Sequence, residues 1–563
     1  MRRIDWLAVT LLLLFAAGLR IIGISYGQPN LDYFPSTAPF GMVHEQIPIQ
    51  PDEFFNVSIP VNMALRNRLN PEFFNYPSFI INANFVLFHL TGALEGLSLA
   101  DREGFSLRAY AAFPLYVMSR MYSVYGGLLM AACAYAISRM AAGRYVALCA
   151  GLLVAVTYTL VQHSHYIKPG TLAGGWMMLA AWACIASLYS RRPRYRERLY
   201  LFAGAVTGLA ATTRYNAAAV GLIVLLAGLI LLYRYRTRRM LWMIGLAWLA
   251  VPLIFILGSP YILRDFDHFR GDFLWIVGQY TTTGADVPEH FLTDAWSGLA
   301  YMLIYTALFA TGIPALISMG LSFLAGWQRR PRGHFFRHNS PLLYVSLIGL
   351  LILAYTLAAL RIIRPAHSEH MLILILPFVA LLSALGAGWL VDSLSLPKRF
   401  LMPALVLILI IQPLLLSLQA VKMFTQSDTR YVMLAWIHEH IPRGARIFLN
   451  GPYNVPLDEA LYPNEQQFVV YAETLPDGED YDYMIYSDAL AYDILGSEMI
   501  VPPDVLQRQR DYLAGLDANF RRVAEIRRPL WTEPEVMINT AAYWHNPSLI
   551  IYCLNPRSCE RIE

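Results

Sequence analysis

PSFIINANFVLFHLTGALEG, residues 77–96, is apolar enough to rival a membrane span, and whether it crosses decides the sidedness of everything after it. A crossing helix needs about 20 predominantly apolar residues, and this stretch has that length. It also carries Asn82, Asn84 and His89, which suit an interfacial or cavity-lining helix better than a lipid-facing one. The arginines elsewhere settle the reading. Apolar segments at 4–26, 113–138, 145–162, 171–189, 199–214, 216–233, 240–262, 296–326, 341–360, 371–391 and 400–421 are candidate spans, about eleven in all. Basic residues cluster between them: Arg139 with Arg144, Arg191 to Arg198, Arg234 to Arg239, Arg329 to Arg337, and Lys398 with Arg399. If 77–96 does not cross, every cluster falls on the side of Arg2 and Arg3. If it crosses, all of them move to the opposite side. The positive-inside rule therefore rejects it as a span.

Composition agrees with a polytopic α-helical membrane protein. The 563 residues are 57% hydrophobic and only 15% charged, with mean hydropathy +0.44. A net charge of +4 is too small to suggest nucleic acid as a partner. The first apolar stretch follows Met1-Arg2-Arg3 as a signal peptide would. It lacks a small-residue cleavage site and runs on through Arg20, which makes it a retained first span. The expected domains are a transmembrane module over 1–421, with 27–112 as its first external loop, and a soluble extracytoplasmic α/β domain over 422–563. The N-terminus is expected in the cytoplasm and the whole in the plasma or inner membrane.

The tail reads differently. Asp428 to His440 is an amphipathic helix, with Val432, Leu434, Ala435, Trp436 and Ile437 as its apolar positions, stopped by Pro442-Arg443-Gly444. Short apolar runs follow at 446–449, 467–471, 483–487 and 548–553, with a helix near 504–516. Cys133, Cys149 and Cys184 lie inside spans as small apolar residues. Cys553 and Cys559 could pair if the tail is outside the cytoplasm.

The candidate chemistry gathers on the non-cytoplasmic side. Asp52-Glu53 stands between Pro51 and Phe54-Phe55. Asp52 either caps the following helix or, near an apolar surface, serves as a base. His163-Ser-His165-Tyr166-Ile-Lys168-Pro-Gly170 fills a short connection. Its histidines, two residues apart, are a weak metal spacing or interfacial polar residues, and Lys168 offers a point charge to a phosphate. Arg214-Tyr215-Asn216 puts a cation on the wrong side of the positive-inside rule. Arg214 either snorkels to the interface or holds an anion. Arg361, Arg364, His367, Glu369 and His370 crowd one short connection. Several cations and one acidic pair on one side suit a phosphorylated, membrane-borne substrate.

The order of these motifs resembles the GT-C glycosyltransferases of the protein O-mannosyltransferase and lipid A aminoarabinose transferase type. Gly18-Leu19-Arg20 closes the first span. Asp52-Glu53 follows, and Asn75-Tyr76-Pro77 opens the apolar stretch ending at Gly92. Ser119-Arg120-Met-Tyr-Ser-Val-Tyr-Gly126, His165-Tyr-Ile-Lys-Pro169 and Gly208-Leu-Ala-Ala-Thr-Thr-Arg-Tyr-Asn216 come next. The resemblance covers most of residues 1–420. It implies an inverting transfer from a polyprenyl-phosphate-linked sugar to a lipid, glycan or protein acceptor, with Asp52 as base and Glu53 as the second catalytic residue. Lys168, Arg214, Arg361 and Arg364 would bind the donor phosphate. His163, His165, Tyr166, Tyr215, His367, Glu369 and His370 would line the substrates. No nucleotide is implied. A divalent metal is left open, because Gly170 stands where the family usually has Asp. A transporter or flippase of a lipid-linked anionic substrate is the rival, and a non-catalytic scaffold the third reading. A transporter should show polar or broken helices in mid-membrane, and the ionisable residues here gather at one face.

Overall fold

The structure is a computed structural model. It describes residues 3–27, 51–93, 113–280, 295–328, 341–362, 368–394, 397–450, 454–466, 475–488, 502–527 and 546–560. The membrane half is built from α1 (Arg3–Ile21), α2 (Pro51–Leu65), α3 (Phe79–Leu90), α4 (Phe113–Ala141), α5 (Arg144–Val156), α6 (Tyr158–Gln162), α7 (Pro169–Tyr189) and α8 (Pro193–Thr213). It continues with α9 (Gly221–Tyr235), α10 (Arg238–Gly258), α11 (Tyr261–Arg264), α12 (Phe266–Tyr280), α13 (Ala295–Tyr305), α14 (Ile313–Gln328), α15 (Pro341–Ile362), α16 (Ser368–Ser393) and α17 (Lys398–Phe424). Each of the expected spans is helical. Seven helices are long and apolar enough to cross a bilayer, or nine if two bent pairs each count as one crossing. This is a multi-pass membrane protein.

α3 is the stretch on which the topology turned. Its 12 residues rise only about 18 Å, against a hydrocarbon core of about 30 Å. Its polar residues tie it to its neighbours. Asn84 donates to the Asn56 carbonyl at 2.8 Å and accepts from Ser119 at 2.9 Å. Asn82 donates to the Gly258 carbonyl at 3.0 Å.

The bundle centre is α7 and α16, which bury 78% and 83% of their apolar windows, whereas α10 buries 11% and faces outward. Helices that are apolar all round belong in the interior. Small residues let α4 and α7 touch by backbone: a β-carbon on Gly175 would sit 2.9 Å from the Gly126 carbonyl oxygen.

One span is broken. α5 and α6 meet at 59°, which frees the last carbonyls of α5 inside the bundle, where no water replaces the lost partners. All four are taken by side chains. Thr157 donates to Leu153 O at 2.6 Å, Arg20 to Val154 O at 3.2 Å and Ala155 O at 2.9 Å, and Ser417 to Val156 O at 2.9 Å. Arg20 is fully buried and sits at the negative end of a helix, where a cation is favoured. The expected span 296–326 also departs from a single rod, because the pieces Met302–Leu308 and Ile313–Leu324 turn by 113°.

The tail comprises α18 (Thr429–His440), β1 (Ile447–Leu449), β2 (Asn464–Gln466), β3 (Tyr483–Ser487), α19 (Pro503–Asn519), β4 (Arg521–Ile526), β5 (Leu549–Cys553) and α20 (Pro556–Cys559). The sheet order is β2-β1-β3-β5-β4. β1 runs parallel to β2 and β3, and β5 antiparallel to β3 and β4. Alternation serves both faces. Ile447, Tyr483, Ile485 and Ile551 pack with Met433, Leu434 and Ile437 of α18, while Phe448, Met484, Tyr486 and Tyr552 pack with Tyr512 and Leu516 of α19. The buried stripe of α18 is thus Arg430, Met433, Leu434 and Ile437. Val432 and Ala435, expected inside, are exposed; at about 100° per residue Val432 falls on the helix face opposite that stripe. The apolar run 467–471 lies outside the described residues. Cys553 and Cys559 are bonded, with Cα atoms 5.7 Å apart.

The tail docks on the bundle through Tyr26. Its hydroxyl donates to Asp428 Oδ2 at 2.6 Å and accepts from the Asn546 N–H at 2.9 Å. Asp428 is also held by Arg430 at 2.7 Å. Asn546 donates to Met423 O at 3.1 Å and accepts from the Thr429 N–H at 3.0 Å. Tyr26→Phe leaves a buried donor and a buried acceptor short of a partner, at a cost of about 1–3 kcal/mol. Hydrogen exchange should rise at 428–430 and 546–548 while α7 and α16 keep their protection; unchanged exchange at the junction would contradict this account of docking.

Candidate functional site

α2 starts at Pro51, whose fixed φ and missing N–H suit a first helical position. This places the acidic pair in the first turn. Glu53 has zero exposure. Its Oε1 accepts from Arg120 Nε at 2.8 Å and from the Ile167 N–H at 2.8 Å, and its Oε2 from Arg120 Nη2 at 2.7 Å. Arg120, 1% exposed on α4, also donates through Nη1 to Ile24 O at 2.6 Å and Tyr26 O at 2.7 Å. Four of its five N–H groups are therefore used. This geometry makes Glu53, fully buried, a strut between four segments. The side chain of Asp52 lies outside the described residues.

The segment 163–170 is not the exposed loop that its polarity suggests. His163, His165, Tyr166 and Lys168 are all buried, with His165 and Tyr166 covered by the chain after α1 and the end of α17. Both ring nitrogens of His165 stand 2.9 Å from carbonyls, Val161 O and Ile22 O. Its ring stacks on Phe424 at 4.3 Å, and Tyr166 meets the same ring edge-on at 5.6 Å. Lys168 is the residue before α7; its carbonyl accepts from Ser123 at 3.2 Å and Thr171 at 3.4 Å.

Arg214 ends α8 and is half-buried. Its guanidinium reaches the first turn of α7: a β-carbon on Gly170 would lie 3.0 Å from Arg214 Nη1. Arg214 thus stands at the positive end of a long helix, and Lys168 is the residue that leads into it. Tyr215 does something else. Its hydroxyl donates to Phe74 O at 2.9 Å, and its ring packs on Phe255, Phe269 and Phe273, which ties down the 66–78 connection. Arg364 and His367 lie outside the described residues, as do the side chains of Arg361, Glu369 and His370. The backbone of Glu369 and His370 opens α16, about one turn from Ile373, whose side chain is 3.4 Å from that same Gly170 position.

An apolar groove of about 560 Å³ runs between α3, α4 and α7, lined by Phe79, Leu87, Met118, Tyr122, Leu172 and Trp176. Leu172 stands about one helical turn from Lys168. Two partners escaped the sequence reading. Arg120 was quoted within a motif but given no role, although an arginine inside an apolar span demands a counter-charge. Tyr26 gave no signal at all.

No family model matches the chain, and no curated protein matches its sequence. Solved structures do. ArnT from Cupriavidus metallidurans bound to undecaprenyl phosphate is similar over 99% of both chains, with a TM-score of 0.50 and 13% identity. The same protein in the apo state is similar over 92% of this chain and 96% of that one, with a TM-score of 0.46 and 13% identity. The Archaeoglobus fulgidus oligosaccharyltransferase tethered with an acceptor peptide is similar over 87% and 70%, with a TM-score of 0.44 and 11% identity.

The Glu53–Arg120 pair predicts a sharp asymmetry. Arg120→Ala or Glu53→Ala alone strands a buried charge and should cost about 3–5 kcal/mol. Arg120→Lys should not rescue, because an ammonium cannot make the bidentate contact. Thermal unfolding in detergent checks both; a lysine variant with wild-type Tm would refute the geometric requirement. The site is thus framed by buried ion pairs and an apolar groove, within a chain that shares its fold, end to end, with ArnT.

Proposed function

We propose that this chain is a membrane glycosyltransferase that moves a sugar from a polyprenyl-phosphate donor to an acceptor hydroxyl, with inversion. Two observations support the reading: an apolar groove along α7 and a guanidinium, that of Arg214, against the first turn of the same helix. A polyprenyl chain suits the groove, and a phosphate suits Lys168 and Arg214. The shared fold supports it, since the ArnT structure holds undecaprenyl phosphate.

Asp52 takes the proton from the acceptor hydroxyl as that oxygen attacks the anomeric carbon from the face opposite the phosphate. The bond between the anomeric carbon and the phosphate oxygen breaks, its electron pair leaves with polyprenyl phosphate, and Lys168 and Arg214 stabilise the charge that develops there. Glu53 is a positioning residue, fixing the first turn of α2 through Arg120. Arg361 and Arg364 remain donor-phosphate candidates, and His367, Glu369 and His370 substrate-lining ones. The acceptor is a lipid, a glycan or a protein.

A divalent metal does not fit the described residues. None of them forms a group of three metal-ligating side chains, and the space beside Gly170 is taken by Arg214. No step is routed through one. The sheet domain and the site lie at the end of the bundle opposite Arg139 and Arg144. Positive-inside logic puts that end outside the cytoplasm, and the Cys553–Cys559 bond fits an oxidising compartment.

Purified protein given a panel of radiolabelled polyprenyl-phosphate sugars should release polyprenyl phosphate, and Asp52→Asn should slow release about 10²–10⁴-fold. Equal release by both would remove Asp52 as the base. Failure of the wild type with every donor, together with donor-dependent flipping in vesicles, would favour the flippase reading instead.

A further inference from the structure

At the end of the bundle away from the site, α9 closes at Tyr235 and Arg236 turns the chain in the left-handed region, with φ 48°. α10 begins at Arg238, behind Thr237, whose hydroxyl accepts from the Met240 N–H at 3.2 Å. Between the two helices opens a groove of about 410 Å³. Leu229, Leu232, Tyr233 and Leu241 form its walls, and Arg236 and Arg238 its rim. The groove lies on the outward side, because α10 buries only 11% of its apolar window and Leu229, Leu241 and Trp242 are 51%, 54% and 75% exposed.

The neighbouring cations are already committed. Arg239 pairs with Glu197 at 2.6 Å. Arg234 donates to Leu188 O at 3.0 Å. Arg196 is buried with its guanidinium 3.6 Å from the centre of the Tyr235 ring. Arg236 stands 5.4 Å over the Tyr233 ring. Neither Arg236 nor Arg238 has a carboxylate partner among the described residues, and both are exposed. Two unmatched guanidinium groups thus flank the positive end of a 21-residue helix, above a wall of leucines that faces the bilayer.

The geometry points to a binding site for an anionic phospholipid in this groove. Acyl chains lie along Leu229, Leu232 and Leu241. The phosphodiester sits between Arg236 and Arg238 over the first turn of α10, where charge-assisted hydrogen bonds and the helix dipole act together. A zwitterionic lipid brings its own cation to the same place and gains less. A soluble phosphate lacks the chains that the walls accept. The inference is independent of the reaction proposed above.

The test uses full-length, delipidated protein in detergent, with thermal unfolding as the readout. Phosphatidylglycerol should raise Tm, and phosphatidylcholine with the same chains should not. Arg236→Gln with Arg238→Gln should abolish the shift while leaving Tm without lipid unchanged. Arg191→Gln with Arg194→Gln, in the next basic connection, should keep it. Equal shifts from both lipids, a shift that survives the first pair of substitutions, equal loss in the control pair, or a matching shift from glycerol 1-phosphate alone would each overturn the site. Native mass spectra of the wild type give a measurement that needs no variant. Phosphatidylglycerol adducts that outlast phosphatidylcholine adducts support the site, and equal loss overturns it.

Discussion

The bidentate pair between Arg120 and Glu53 is the contact on which the site end of the molecule is hung. One guanidinium holds the first turn of α2, the turn after α1 and, through the same carboxylate, the backbone of Ile167. Segments separated by 67 and 114 residues in the chain are fixed by two side chains. Such a pair adds little net stability over well-packed apolar residues. Its value is directional: four N–H groups in a rigid plane admit one arrangement of their acceptors, so the acidic first turn and the segment leading into α7 cannot slide relative to each other.

The same rule explains the other buried charges. Asp5 lies between Arg139 and Arg144, each 3.2 Å away, where α1 meets α4 and α5. Arg20 answers the carbonyls freed by the α5–α6 break. Asp428 and Arg430 answer each other and Tyr26. Inside the bundle, where no water is at hand, Asp5 and Arg20 find their partners on other helices. The polar groups thereby specify which helices are neighbours, a task that apolar packing alone leaves loosely determined.

Much of this fold was legible because its signals are local. Runs of apolar residues mark the helices, clusters of arginine mark one end, and β1, β3, β5 and α19 lie where short apolar runs and a helical pattern stood in the tail. What escaped depends on distance in the chain. Nothing near Glu53 in the sequence announces its partner, which stands 67 residues on. The segment around His165 reads as a wet loop until Phe424 and Ile22 cover it. β4, RRVAEI, is an edge strand whose charges hide its pattern, and α12 lies inside what reads as an irregular connection. The chemistry of the candidate site was legible as residue types; which of them form struts and which stand at the start of α7 required the third dimension.

The Tyr26 hydroxyl carries a consequence for biogenesis. One of its partners, the Asn546 amide, is made 520 residues after it. At about 5–20 residues per second, the gap is on the order of a minute. During that time the first helix is already in the membrane while its hydroxyl waits. The chain therefore completes its junction only once Asn546 has emerged, and a product stalled before residue 546 carries the first helix and the α17 end without the residue that joins them to the sheet domain.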